Sequence, residues 1–81
     1  MRKQKPSDRR RAATREIEKQ LHRNSVTFQK IYNNGSTTWI LEIIDNIQHI
    51  IDNIIRVANA HGLRLTEMRV DEGRLKISFV T

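Results

Sequence analysis

The chain has 81 residues, with 15 lysines and arginines against nine aspartates and glutamates, a formal net charge of +6 and no cysteine. This length allows one small domain and excludes a two-domain enzyme. The lack of cysteine excludes a disulfide-stapled secreted scaffold and a cysteine-ligated metal site. A domain this small buries only about 60% of the surface that its unfolded chain exposes, so association with a second copy is a common source of stability.

The positive charge is concentrated at the start of the chain. Residues 1–30 hold ten of the lysines and arginines but only three acidic residues, whereas residues 31–81 are close to neutral. Such asymmetry predicts a polyanionic partner, which could be nucleic acid, an anionic membrane or an acidic protein. A surface charge that only aids solubility is the alternative.

Residues 1–7 are predicted to form a disordered basic arm, and residues 8–81 a single small α+β domain. The basic start is not followed by an apolar segment, so we expect no signal peptide and a cytoplasmic location. The apolar-rich stretch 39–60 has polar residues at every turn, which argues against a membrane span. The arm itself has too few apolar residues to anchor at a membrane surface.

A first helix is predicted over residues 8–32. Its apolar stripe recurs at steps of three and four, with Asn24 as a polar interruption. Because residues 25–28 are rich in β-branched side chains, a break near residues 24–27 is the alternative. Residues 33–35, Asn-Asn-Gly, then suit a left-handed helix C-cap. The stripe consists of Ala13, Ile17, Leu21, Phe28 and Ile31.

A second helix is predicted from about Thr37 to His61, ending at Gly62. Its isoleucines follow a heptad pattern and cover an arc of about 200°, which is wider than one neighbouring element covers. We therefore predict a homodimer in which a second copy completes this surface; a monomer with tighter packing is the alternative. The candidate dimer interface is Ile40, Ile43, Ile44, Ile47, Ile50, Ile51 and Ile54.

The last residues alternate apolar and polar side chains, which predicts a β-hairpin of residues 64–70 paired with 74–80. Gly73 takes a left-handed position in the turn, and a change of parity predicts a bulge near Thr66. The expected fold is thus α+β, a two-helix hairpin followed by a C-terminal β-hairpin in the order α-α-β-β.

A ladder of like charges on the first helix is the main functional signal. Four of its bases stand at i, i+4 spacing, which costs an isolated helix energy unless a polyanion is bound. These bases predict phosphate contacts driven by counterion release, hence a nucleic-acid-binding accessory or regulatory protein acting on DNA or RNA. The alternatives are an adaptor or inhibitor that docks an acidic protein, and a structural assembly component. The candidate nucleic-acid-binding residues are Arg9, Arg10, Arg11, Arg15, Lys19 and Arg23.

No pattern indicates catalysis. The three histidines fall on different segments, and their acidic neighbours at helical spacing are typical of salt bridges rather than metal sites. The three glycines are scattered and form no phosphate loop. We therefore expect no catalytic residue, metal or cofactor. Tyr32 and Trp39 flank the turn between the predicted helices and are expected to cap the core rather than stack on bases.

Overall fold

The computed structural model describes residues 6–81, so the predicted disorder of residues 1–5 lies outside the described residues. The chain forms two repeats of one helix followed by two strands. The elements are α1 (Pro6–Arg23), β1 (Phe28–Asn33), β2 (Ser36–Glu42), α2 (Ile47–Ala60), β3 (Arg64–Asp71) and β4 (Arg74–Val80).

Helix α1 begins at Pro6, two residues before the predicted domain boundary. Proline suits a first helical turn because its missing N–H has no partner there. The helix ends at Arg23, and Ser25 takes a left-handed conformation with φ of 56°. The predicted continuation of this helix to residue 32 is therefore wrong, and the alternative break at residues 24–27 is confirmed.

Strands β1 and β2 form a hairpin where the sequence predicted the junction of two helices. Asn34 and Gly35 have φ angles of 48° and 82°, the left-handed pair that a two-residue hairpin turn requires. Along β2 the buried residues are Thr37, Trp39 and Leu41. This period of two is that of a strand with one buried face.

Helix α2 is shorter than predicted, since residues 36–42 belong to β2 and Asn46 precedes the helix with a left-handed φ of 67°. The prediction was too long because Ile40 and Ile47 are spaced like neighbouring positions of a heptad, although Ile40 lies on β2 and Ile47 lies on α2. Gly62 follows the helix with φ of 80°, as predicted. The buried face of α2 consists of Ile50, Ile51, Ile54 and Ala58.

Strands β3 and β4 form the predicted C-terminal hairpin. The turn contains Glu72 and Gly73, both with positive φ, and the register shifts between Leu65 and Glu67. The left-handed Gly73 and the bulge near Thr66 are thus confirmed.

All four strands form one antiparallel sheet in the order β1-β2-β4-β3. Both helices lie on the same face, with α1 over β1 and β2, and α2 over β3 and β4. The order is α-β-β-α-β-β, so the predicted α-α-β-β arrangement is wrong.

The core between the layers includes Ile17, Leu21, Trp39, Leu41, Ile54, Ile77 and Phe79. No helix within residues 6–81 is long and apolar enough to span a membrane.

The isoleucines of the predicted dimer interface do not form one helical surface, because they lie on β2, on the loop that follows it and on α2. Ile50, Ile51 and Ile54 are buried by the chain itself, while Ile43 is 44% exposed. Ile40 lies on β2 with its neighbours Trp39 and Leu41 buried on the opposite face. Ile44 and Ile47 are half-buried at the edge of the core. A homodimer stays a prediction, but a continuous isoleucine helix no longer supports it.

Candidate cationic cleft

A cleft of about 410 Å³ lies between α1 and the outer strand of the hairpin that follows it. We call it the cationic cleft. Three arginines and one lysine line it, together with one carboxylate, two threonines and a tyrosine. The lining residues are Arg10, Arg11, Thr14, Arg15, Glu18, Lys30, Tyr32 and Thr37.

Helical spacing explains the contribution of α1. Arg10, Thr14 and Glu18 repeat every four residues and form the row that faces the strands. Arg11 and Arg15 form the next row, exposed at the mouth of the cleft.

Strand parity explains the contribution of β1. Lys30 pairs with Trp39 and Tyr32 pairs with Thr37 in the sheet register. Residues paired in register point to the same face, and Trp39 and Thr37 are buried on the helix side. Lys30 and Tyr32 therefore point toward α1, where they close the cleft.

The Arg10 side chain is fixed against Tyr32. The guanidinium carbon lies 4.1 Å from the ring centroid, and Nη1 donates a hydrogen bond to the hydroxyl oxygen at 2.6 Å. The backbone N–H of Gly35 also donates to that oxygen, at 3.1 Å. An arginine has five N–H donors, so this contact leaves most of them for a bound anion.

The one carboxylate in the cleft is already engaged. Glu18 Oε2 lies 3.1 Å from Lys30 Nζ and accepts a hydrogen bond of 3.1 Å from the buried indole of Trp39. Among residues 6–81, no carboxylate forms a salt bridge with Arg10, Arg11 or Arg15. Three positive charges thus converge on one cleft without a counter-ion from the described part of the chain.

The structure brings together only part of the predicted set. Arg10, Arg11 and Arg15 line the cleft, and Lys19 is exposed one turn further along α1. Arg23 is exposed at the end of the helix, about 18 Å along the axis from Arg11.

Arg9 points to a different neighbour. Its Cδ and Nε lie 3.5 Å from the place where a Cβ would stand on Gly62, beyond the C-terminal end of α2. Its Nε is buried and has no hydrogen-bond partner among the described residues. Arg9 therefore lies between the helices and does not line the cleft.

Lys30 and Tyr32 were missed because the predicted first helix ran through residue 32. The signal that could have found them is the Asn34-Gly35 pair, which is a strong indicator of a hairpin when strands flank it. Trp39 is buried as expected, whereas Tyr32 is 51% exposed and contacts α1. No cluster of potential metal ligands occurs within residues 6–81.

A scan against protein-family models finds no match to the chain, and a search of curated proteins finds no similar sequence. Any functional interpretation therefore depends on the geometry and charge of the cleft.

Proposed function

We propose that the protein binds nucleic acid through its phosphates, using the cationic cleft and the exposed bases of α1, and acts as an accessory or regulatory factor. The observation that supports this most directly is the convergence of Arg10, Arg11 and Arg15 without a carboxylate partner in the described residues. Guanidinium groups bind phosphate oxygens through paired N–H donors, and a fixed guanidinium loses less entropy on binding.

In this proposal, Arg10 and the more exposed bases of α1 contact different phosphates. Arg10 is held by Tyr32 and receives one phosphate, whose position the cleft defines. Arg11 and Arg15 at the mouth of the cleft, and Lys19 one turn further along α1, contact successive phosphates of the same strand. Such contacts carry no base specificity by themselves, so the proposal predicts binding that depends strongly on salt and weakly on sequence.

The test is a salt-titrated binding assay on duplex DNA, single-stranded DNA and RNA of the same mixed sequence. On duplex DNA the logarithm of the binding constant should fall with the logarithm of salt concentration, by about 0.9 per phosphate neutralised. The double substitution Arg11→Ala and Arg15→Ala should weaken binding and reduce this slope by about 2.

The matched control is the double substitution Arg56→Ala and Arg74→Ala, which removes the same charge from two exposed arginines outside the cleft. It should leave the slope nearly unchanged. If both double variants weaken binding equally, net charge and not the cleft is responsible. Absence of binding to all three nucleic acids at low salt would contradict the proposal and favour an acidic protein partner.

A further inference from the structure

The edge of the sheet opposite the cationic cleft carries an apolar groove of about 460 Å³ between α2 and β3. Its apolar lining is Ile43, Ile47, Ile51, Met68, Val70 and Leu75. Met68 and Val70 are 47% and 64% exposed, and Ile43 is 44% exposed. Within residues 6–81, β3 pairs with β4 on one side and with no strand on the other.

We propose that β3 pairs with β3 of a second copy of this chain, in antiparallel register about a two-fold axis at Met68. An exposed edge strand with apolar side chains is a template for pairing with another strand. The pairing joins two four-stranded sheets into one of eight strands, and it brings the two apolar grooves together at the axis.

The charges on β3 are complementary in this register. With Met68 opposite its own copy, Glu67 lies opposite Arg69 of the second copy, and the symmetry repeats the pair. Opposite charges that face each other across strands stabilise the pairing. Glu67 and Arg69 remain 39% and 57% exposed despite contacts within their own chain, so both can form the pair. A shift that centres the axis on Arg69 places Arg69 opposite itself and Glu67 opposite Asp71, which is repulsive.

The other free edge does not suit self-pairing. Strand β1 carries Lys30 and borders the cationic cleft, so two copies joined at β1 would bring both sets of unpaired arginines to the same joint. The edge strand β3 has two arginines and two carboxylates along its length and no such excess of charge.

The proposal predicts twice the chain mass in sedimentation at micromolar concentration. Glu67→Arg alone and Arg69→Glu alone each place like charges opposite one another, and each should sediment as a monomer under the same conditions. The double substitution, Glu67→Arg with Arg69→Glu, restores opposite charges across the axis and should recover the dimer. Recovery by the double variant excludes misfolding as the cause of dissociation in the single variants.

Two apolar substitutions provide a matched pair. Val70→Ser should dissociate the dimer, whereas Ile31→Ser, at a similarly exposed position on the opposite edge strand, should not. A monomeric wild-type protein would overturn the proposal and leave the groove to a different partner. A dimer that persists in both single charge variants would also overturn it, because another surface would then join the copies.

Discussion

The Tyr32 side chain connects strand β1 to helix α1 and sets the position of Arg10. Its hydroxyl oxygen accepts hydrogen bonds from Arg10 and from the backbone of Gly35, and its ring lies under the guanidinium. The hydroxyl proton has no acceptor among the described residues. A phosphate bound to Arg10 would therefore find a second donor beside it.

Tyr32→Phe should weaken nucleic-acid binding by about 2- to 10-fold, the range expected for one lost hydrogen bond. The ring remains, so stacking and folding should be retained. The slope of affinity with salt should also stay the same, because Arg10 keeps its charge. Arg10→Ala should instead reduce that slope by about 1. Unchanged affinity in Tyr32→Phe would show that Tyr32 does not position Arg10 for binding.

At the scale of elements, the two hairpin turns have the same backbone shape but different residues. Asn34-Gly35 joins β1 to β2, and Glu72-Gly73 joins β3 to β4, with all four residues at positive φ. Asparagine tolerates the left-handed conformation better than glutamate does, because its short polar side chain bonds locally to the backbone. The second turn is therefore the more strained of the two.

Glu72→Asn should stabilise the protein by about 0.5–1 kcal/mol, since it gives both turns the preferred Asn-Gly pair. For a domain of this size, the melting temperature should rise by about 4–8 °C per kcal/mol. The reverse change, Asn34→Glu, is the control and should lower it by a similar amount. Thermal melts followed by circular dichroism would measure both. A fall in melting temperature for Glu72→Asn would contradict this account of the turn.

The sequence predicted correctly those elements whose hydrophobic pattern fits only a helix or only a strand. The second hairpin was predicted because residues 74–79 alternate polar and apolar side chains and Gly73 marks the turn, and its bulge because the parity changes between Leu65 and Met68. The first helix was predicted from its apolar stripe, but over residues 8–32, whereas α1 ends at Arg23. The first hairpin was missed because Phe28 and Ile31 also fit a helical step of three, and Ile40 and Ile44 fit a step of four. Short apolar runs fit both periods, and the pairing of β2 with β1 and β4 decides between them.

The candidate site was predicted in part for the same reason. The bases of α1 are sequence neighbours, so their helical face could be predicted from spacing. Lys30 and Tyr32 face the cleft because of the register of β1 against β2. Their distance along the sequence from the bases of α1 does not indicate that they lie beside them. Arg9 fits the same helical pattern as the other bases, and only the position of α2 shows that it points elsewhere.

At the scale of the whole molecule, stability depends on one apolar layer between the sheet and the two helices. Ile54 lies in that layer and is fully buried, while Ile31 is 52% exposed on the outer strand β1. Ile54→Ala should reduce the free energy of unfolding by about 2–5 kcal/mol, because it leaves a cavity. Ile31→Ala should cost much less. Urea denaturation would measure both, and equal effects would contradict the proposed two-layer core.

The strand order places the cationic cleft and the β3 edge at opposite ends of the sheet. An assembly joined at β3 about a two-fold axis would therefore carry one cleft at each end of its eight-stranded sheet. Seven strand spacings would separate the outer strands, a distance of about 34 Å. A nucleic acid held at one cleft would have a high local concentration at the other, so a chain long enough to reach both would bind more tightly than a short fragment that reaches only one.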